Sequence, residues 1–534
     1  TTATLSYLTP HLYLWVEEGT SFDQEALKRS ADRFESQIYP TNRQFFGSEW
    51  TPGVDNDPHI HVLQTSGLGS SVNGYYLDTD EYSKLVNPYS NEREMFYINS
   101  DNLQPGTDSY ESVLAHEFQH MIHWAVDRDE DTWVNEGFAE LASYLNGYDV
   151  GGYDRAFSSA PDTQLTSWPD PGQTSANYGA SFLFAAYFLE RFGDQALRSV
   201  VSQQANGTTG FEAILTEQGL TFEDVFADWL IANYLDDTDL ADGHYGYRDL
   251  TVGPAHLDQT HADYLVQRST TVHQYGADYI ELQGQGDLAL TFAGSTEVKL
   301  IPNDPHSGKS FWWSNRGDSS DTTLTRAFDL TGLSQATLKA WLWYNIEEDW
   351  DYAYIEVSTD RGQTWDILTG QYTTDSNPNG NSFGQAYTGQ SRASADEVPD
   401  WVEEEIDLTP YVGREILLRF EYITDGAVNH VGFCVDDIAI PELGYFDDAE
   451  SDEHWIAEGF IRTDNVLPQR FLVQLVVLGP DVKVRRMELD EAQTGRLVVE
   501  DLGKGVEGAV LVVSGLAPVT TELASYEYSI ELAH

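Results

Sequence analysis

Short apolar runs bounded by polar residues mark the first hundred positions. "HLYLWVEE" (11–18), "HIHVLQT" (59–65) and "EMFYIN" (94–99) read as strands, and a helical period runs near 24–37. From residue 109 to about 237 the pattern becomes helical, with stretches at 133–145, 176–192 and 221–235. The last of these opens on "TFED", the spacing of a capping box. Residues 107–136 contain no Gly or Pro, which permits an uninterrupted helix through "VLAHEFQHMIHW" (113–124). Strands first and helices after predict an α+β unit.

Beyond residue 251 the period changes to two. "DYIELQ" (278–283), "DLALTFAG" (287–294) and the strand, turn and strand of "YAYIEVSTDRGQTW" (352–365) predict antiparallel sandwiches. A further β segment fills 446–532, with "FLVQLVVLG" (471–479) as its most apolar strand. A chain of 534 residues exceeds what one core supports, so several domains are expected. The expected division is an α+β domain at 1–250, a β segment at 251–306 packing with the C-terminal domain, a sandwich or jelly roll at 307–442 and a β domain at 443–534.

Charge narrows the partners. Against 28 Lys and Arg stand 88 Asp and Glu, a formal net charge of −60, which excludes nucleic acid because phosphate binding needs clustered cations. The carboxylate surplus reads as a solvated acidic surface with calcium sites added. The single cysteine, Cys434, leaves no intrachain disulfide and no thiolate zinc site. No apolar run approaches the ~18 residues of a membrane span. A start at Thr1 rather than Met, together with Gly/Asp/Asn/Thr-rich β segments, predicts a secreted protein whose signal peptide has been removed.

Candidate chemistry sits in "HEFQH". Helix positions i and i+4 share a face, so His116 and His120 can present both imidazoles to one zinc ion, with Glu117 placed to take a proton from water. Downstream, in "WVNEGFAELASYL" (133–145), Glu136 can supply a third ligand and leave a fourth position open, as a catalytic zinc requires. Glu140, one turn later, can accept the free N–H of a ligand histidine. The other reading of Glu136 and Glu140 is a pair of exposed helix carboxylates.

"HEFQH" followed by "WVNEGFAE" resembles the gluzincin zinc peptidases, and the run from "HEFQHMIHW" through "WVNEGFAELA" is most similar to the hyicolysin-like secreted peptidases. The resemblance covers roughly residues 1–240. It implies zinc at His116, His120 and Glu136, with Glu117 as general base and acid. Fifteen residues separate His120 from Glu136, a shorter connection than aminopeptidase-type relatives have, and no Gly-Ala-Met-Glu-Asn run precedes the site. That favours an endopeptidase over an aminopeptidase. Tyr178, in "SANYGASFLFAAYFLERFG", resembles the tyrosine that steadies the oxyanion in aminopeptidase-type gluzincins; the alternative is a buried Tyr packing a helix start, and His244, Tyr245 and Tyr247 are further candidates. His123 falls one turn beyond His120 and reads as a residue at the rim of the site or supporting the ligands from behind, or as catalytically idle. Asp127, Asp129 and Asp131 lack the Gly and terminal Glu of an EF-hand loop and read as a solvated acidic turn.

"FWWSNRGDSSDTTLTRAFDLTGL" (311–333), the 352–365 hairpin and "LLRFEYITDGAVNHVGFCVDDIAI" (417–440) resemble the MAM-like jelly-roll module of immune inhibitor A peptidases. The catalytic motif of that family is metzincin-like, so this resemblance is confined to the accessory part. Asp349, Asp351, Asp436 and Asp437 are candidate ligands for a calcium ion that clips strand ends, or ordinary loop carboxylates. "RGD" at 316–318 lies inside the module's own motif and does not read as an integrin ligand. These observations predict a secreted zinc endopeptidase acting on protein or peptide substrate, with β domains for substrate, cell-surface or polysaccharide contact. The alternatives are a zinc aminopeptidase and, in another class, an extracellular adhesion or carbohydrate-binding protein with a vestigial peptidase domain.

Overall fold

A computed structural model describes residues 1–170, 172–392, 398–451 and 454–533. β1 (Ala3–Leu8), β2 (Leu12–Glu17), β3 (Ile60–Thr65), β4 (Gly74–Tyr76) and β5 (Met95–Asn99) form one sheet in the order β1-β2-β3-β5-β4. Its centre, β2-β3-β5, is parallel, and both outer pairs are antiparallel. All of β5 and most of β3 are buried on both faces, as parallel strands covered by helices are. Between β2 and β3, α1 (Gln24–Arg33) starts on the Asp23 carboxylate, which accepts the N–H groups of Glu25 and Ala26. It continues through one π-helical turn, Phe34–Ile38, into α2 (Tyr39–Phe45).

Two helices then carry the histidine and glutamate motifs: α3 (Asp108–Val126) and α4 (Thr132–Leu145). No continuous helix joins them, because Asp127 turns extended and residues 127–131, "DRDED", place poor helix formers and like charges in succession. Nor is that turn solvated as its composition predicts, since Asp127 and Glu130 are both buried. α5 (Tyr153–Ser159), α6 (Ser175–Val201, kinked at Gly193), α7 (Gly207–Thr216) and α8 (Phe222–Leu235) complete the helical layer. The capping box of α8 is formed by Thr221 and Asp224. α5 and α7, each ten residues or fewer, are too short for a helical period to stand out in the sequence.

The rest is β structure, giving an α+β unit followed by all-β sandwiches. One sandwich faces the sheet containing Thr337–Asn345 and Gly432–Ile440 against the sheet containing Asp321–Asp329, Tyr352–Ser358 and Glu415–Ile423. Its core includes Leu342, Ile355, Phe420 and Phe433. Tyr445–Asp447 and Ile456–Glu458 also pair with these strands, and Ile461–Thr463 joins through Phe311–Trp313, which pairs with Gly432–Ile440. The second sandwich is built from both sides of the first: Asp278–Leu282 pairs with Gly508–Gly515, and Gly286–Gly294 pairs with Ala524–Leu532. Glu297–Lys299 and Val466–Pro468 form a two-stranded neck between them.

Apolar packing does not stop at the α/β boundary. Tyr279, Leu472, Val476, Val510 and Val512 of the second sandwich belong to the same buried cluster as Trp229, Phe226 and the helical layer. Hydrogen bonds reinforce that face: Tyr279 Oη donates to the Leu230 carbonyl at 2.8 Å, and Gln474 Nε2 to the Ala227 carbonyl at 2.9 Å. The first sandwich meets the start of α4 through Asp318, which is 5% exposed. The Asp of "RGD" is therefore an internal contact.

Candidate metal centre

The 3.6-residue period of α3 places His116 and His120 one turn apart, and α4 brings Glu136 across to them. His116 Nε2 lies 3.1 Å from His120 Nε2 and 3.3 Å from Glu136 Oε2, and His120 Nε2 lies 3.7 Å from the same oxygen. Ligands held at ~2.0–2.1 Å in a tetrahedron stand about 3.3–3.4 Å apart, so this triangle fits one tetrahedral zinc. The outer ring nitrogens are engaged: His120 Nδ1 donates to Asn135 Oδ1 at 3.0 Å, and His116 Nδ1 lies 3.3 Å from Glu140 Oε1. Both imidazoles are thereby oriented with Nε2 free toward the centre.

Glycine permits the approach of the flanking elements. At Gly137, next to Glu136, a Cβ would stand 2.7 Å from the Ser181 carbonyl oxygen of α6. At Gly74 in β4 it would stand 2.6 Å from Val113 Cγ1 and 3.1 Å from Glu117 Oε1. The short strand β4 thus lies directly on the face of α3 that presents Glu117.

Charge and burial set the protonation of the site. Burial pushes Glu117 up to about 7, against the pull of His116, while Glu136 adds to the rise. At His116 burial works downward, but Glu136 and Glu140 outweigh it and hold the ring well above its ordinary value. At His120 burial prevails and lowers it. Glu136, whose burial alone would raise it, is held below the ordinary carboxylate range by the two imidazoles.

Tyr178, in the first turn of α6, faces this cluster. Its phenol is raised well above its ordinary value, by burial first and then by the Glu136 and Glu140 carboxylates. Its ring stacks on Tyr153 at 4.9 Å and meets Trp168 edge-on at 4.9 Å, which fixes its direction. The other aromatic candidates are engaged elsewhere. His244 Nδ1 lies 3.5 Å from Asp228, and Tyr247 Oη donates to Asn233 Oδ1 at 2.6 Å. His123, one turn beyond His120, is 1% exposed, and its ring lies 5.8 Å from that of Phe138.

The four aspartates proposed for calcium do not meet at one place. Asp351 joins Glu347 and Asp425, with one oxygen from each within 4.8 Å of the others. Asp349 instead accepts from Ser376 Oγ at 2.7 Å. Asp436 and Asp437 accept from the Ser307 N–H and Oγ, at 3.1 and 2.6 Å. Asn135, Glu347 and Asp425 were not singled out in the sequence. Asn135 stands beside Glu136 in "WVNEG" and could have been found as its neighbour, whereas nothing local marks Glu347 and Asp425, 78 residues apart.

Residues 293–465 match the family model described as immune inhibitor A-like, MAM domain. The chain is 27% identical over 239 residues to the neutral metalloprotease ShpI of Staphylococcus hyicus, covering 40% of this chain and 53% of that protein. It is 31% identical over 161 residues to the pre-pro-metalloprotease PrtV of Vibrio cholerae serotype O1, covering 30% and 16% of the two chains. Immune inhibitor A of Bacillus thuringiensis subsp. alesti is 30% identical over 170 residues, covering 31% and 22%. The chain thus spans about half the length of the first of these relatives and less of the others. Residues 293–465 thus match an immune inhibitor A-like MAM domain, in a chain that is also similar to bacterial proteins named metalloproteases.

Proposed function

We propose that the chain is a secreted zinc endopeptidase of gluzincin type that hydrolyses protein or peptide substrate. The observation that carries the reading is the triangle of His116 Nε2, His120 Nε2 and Glu136 Oε2, with edges of 3.1, 3.3 and 3.7 Å. The names of the relatives ShpI and PrtV, both metalloproteases, support it. When bound there, zinc supplies Lewis-acid polarisation of the scissile carbonyl and of water. Glu117 takes the proton of the attacking water and returns it to the leaving nitrogen. The Tyr178 phenol donates to the developing oxyanion, its acidity low enough to keep its proton. Asn135 and Glu140 hold the histidines in one tautomer.

In this reading calcium binds at Glu347, Asp351 and Asp425, where Glu347 Oε2 is buried without a hydrogen-bond partner. The β domains serve stability and substrate or surface contact. For the latter, a cavity of about 510 Å³ between the N-terminal unit and the MAM domain is lined by Tyr89, Trp350 and Phe383, whose exposed rings suit polymer or polysaccharide. Among the described residues no helix is long and apolar enough to cross a membrane, which is compatible with export. The test is casein or gelatin hydrolysis by the purified chain, its loss to a chelator and its return with one equivalent of zinc. Hydrolysis that survives complete zinc removal would refute the assignment.

A further inference from the structure

The turn between α3 and α4 holds a second group of ligating side chains that the catalytic reading leaves unused. His123, Asp127 and Glu130 are 1%, 3% and 5% exposed, and one ligand atom from each lies within 4.8 Å of the other two. Neither ring nitrogen of His123, neither carboxylate oxygen of Asp127, nor Oε2 of Glu130 has a hydrogen-bond partner. Asn135, whose Oδ1 is hydrogen-bonded to His120 Nδ1 at 3.0 Å, lies beside the His123 ring. Glu130 is held in place through its other oxygen, which accepts the N–H groups of Asp131 and Gly207, each at 2.7 Å.

Leaving such groups unpaired is expensive. Each buried polar atom without a partner forfeits its hydration with nothing in return, and a charged one forfeits more. Two carboxylates in one dry pocket also repel. Burial, with Asp129 alongside, pushes Asp127 up to about 6; burial pushes Glu130 well above its ordinary value and His123 down to about 3. A neutral imidazole converging with two carboxylates is a donor set for one divalent cation, which would take one atom from each.

We propose that His123, Asp127 and Glu130 bind a second divalent ion of the first-row transition series, separate from the His116–His120–Glu136 centre. The imidazole selects against calcium, which takes oxygen ligands, and toward Zn2+. Gln119, one turn before His123 on the same helix face, is fully buried with both amide atoms unpartnered, a neutral neighbour with a spare carbonyl. The ligands come from the last turn of α3, from its C-cap and from the approach to α4. An ion there ties together the two helices that carry His116, His120 and Glu136.

The experiment counts metal in the full chain. Protein stripped with a chelator is reloaded with zinc in excess calcium, which occupies oxygen-only sites, then freed of unbound ions and measured by mass spectrometry. The expected counts are two zinc per chain in the wild type and one each in His116→Ala, Asp127→Asn and Glu130→Gln, with circular dichroism unchanged. A count of one in the wild type and none in folded His116→Ala overturns the proposal. So does a count of two that Asp127→Asn and Glu130→Gln leave intact. A count lowered by Asp127→Asn but not by His116→Ala upholds this site while refuting the catalytic assignment. If both turn variants fail to fold, His116→Ala decides: one zinc upholds the second site, none removes it.

Discussion

Asp318, from the MAM domain, accepts hydrogen bonds from both the backbone N–H and the hydroxyl of Thr132, at 3.1 and 2.5 Å. Thr132 is the first residue of the helix that carries Glu136. Asp131, the N-cap of that helix, makes no side-chain capping bond, so a carboxylate from another part of the fold performs that role. The accessory domain is in this way part of the frame of the metal centre.

Asp318→Ala is expected to cost about 1–2 kcal/mol of stability, the usual loss on removing a helix cap, and to lower kcat/KM by letting α4 shift. Thermal melting and peptide hydrolysis measure the two effects together. Unchanged melting and unchanged kcat/KM would show that the domain contact does not support α4.

Asn135→Ala removes the acceptor of the His120 Nδ1–H. Loss of such an orienting partner lowers zinc affinity by about 10–100-fold, with little change in fold. Competition with a chromogenic chelator reads the affinity, and an unaltered dissociation constant would exclude an orienting role for Asn135.

Tyr178→Phe keeps the stacking on Tyr153 but deletes the phenolic donor. If the phenol steadies the oxyanion, kcat falls about 10²–10³-fold with KM nearly constant. A variant with full kcat would assign Tyr178 to packing alone.

The cluster of Glu347, Asp351 and Asp425 predicts a calcium-dependent pH response. Burial, with the neighbouring carboxylates, pushes them up to about 9, 8 and 6. Between an ordinary carboxyl value near ~4 and these raised ones, the folded chain binds more protons than the unfolded chain, so stability falls as pH rises through that window. Calcium bound by the ionised carboxylates opposes the fall. The Tm of chelated protein is therefore expected to decline from about pH 5 to pH 9, calcium to reduce the decline, and Asp425→Asn to reduce both the decline and the response to calcium. An equal calcium response in Asp425→Asn would place the ion elsewhere.

Much of this was legible in the sequence because the elements are local. The i, i+4 spacing of His116 and His120 and the Gly/Pro-free run around them define a helix without tertiary information, and α3 forms there. The short apolar runs at 278–283 and 471–479 likewise mark strands that pack against the helical layer. What the sequence hides is set by long-range contact. Asp127 and Glu130 look like solvated turn residues until α7 closes over them through Gly207. Asp318 looks like a loop residue until it reaches Thr132, 186 positions away. Asp349 and Asp351 are neighbours in the chain, yet only Asp351 points to Glu347 and Asp425.

The most direct test of the central claim is hydrolysis of casein by Glu117→Ala, with zinc counted on wild type and variant. Glu117 is buried beside His116 but is not part of the ligand triangle, so its removal separates proton transfer from metal binding. The account predicts unchanged zinc content and a rate lowered by about 10²–10⁴-fold, the usual contribution of a general base. Full hydrolysis by Glu117→Ala at unchanged zinc content would contradict it.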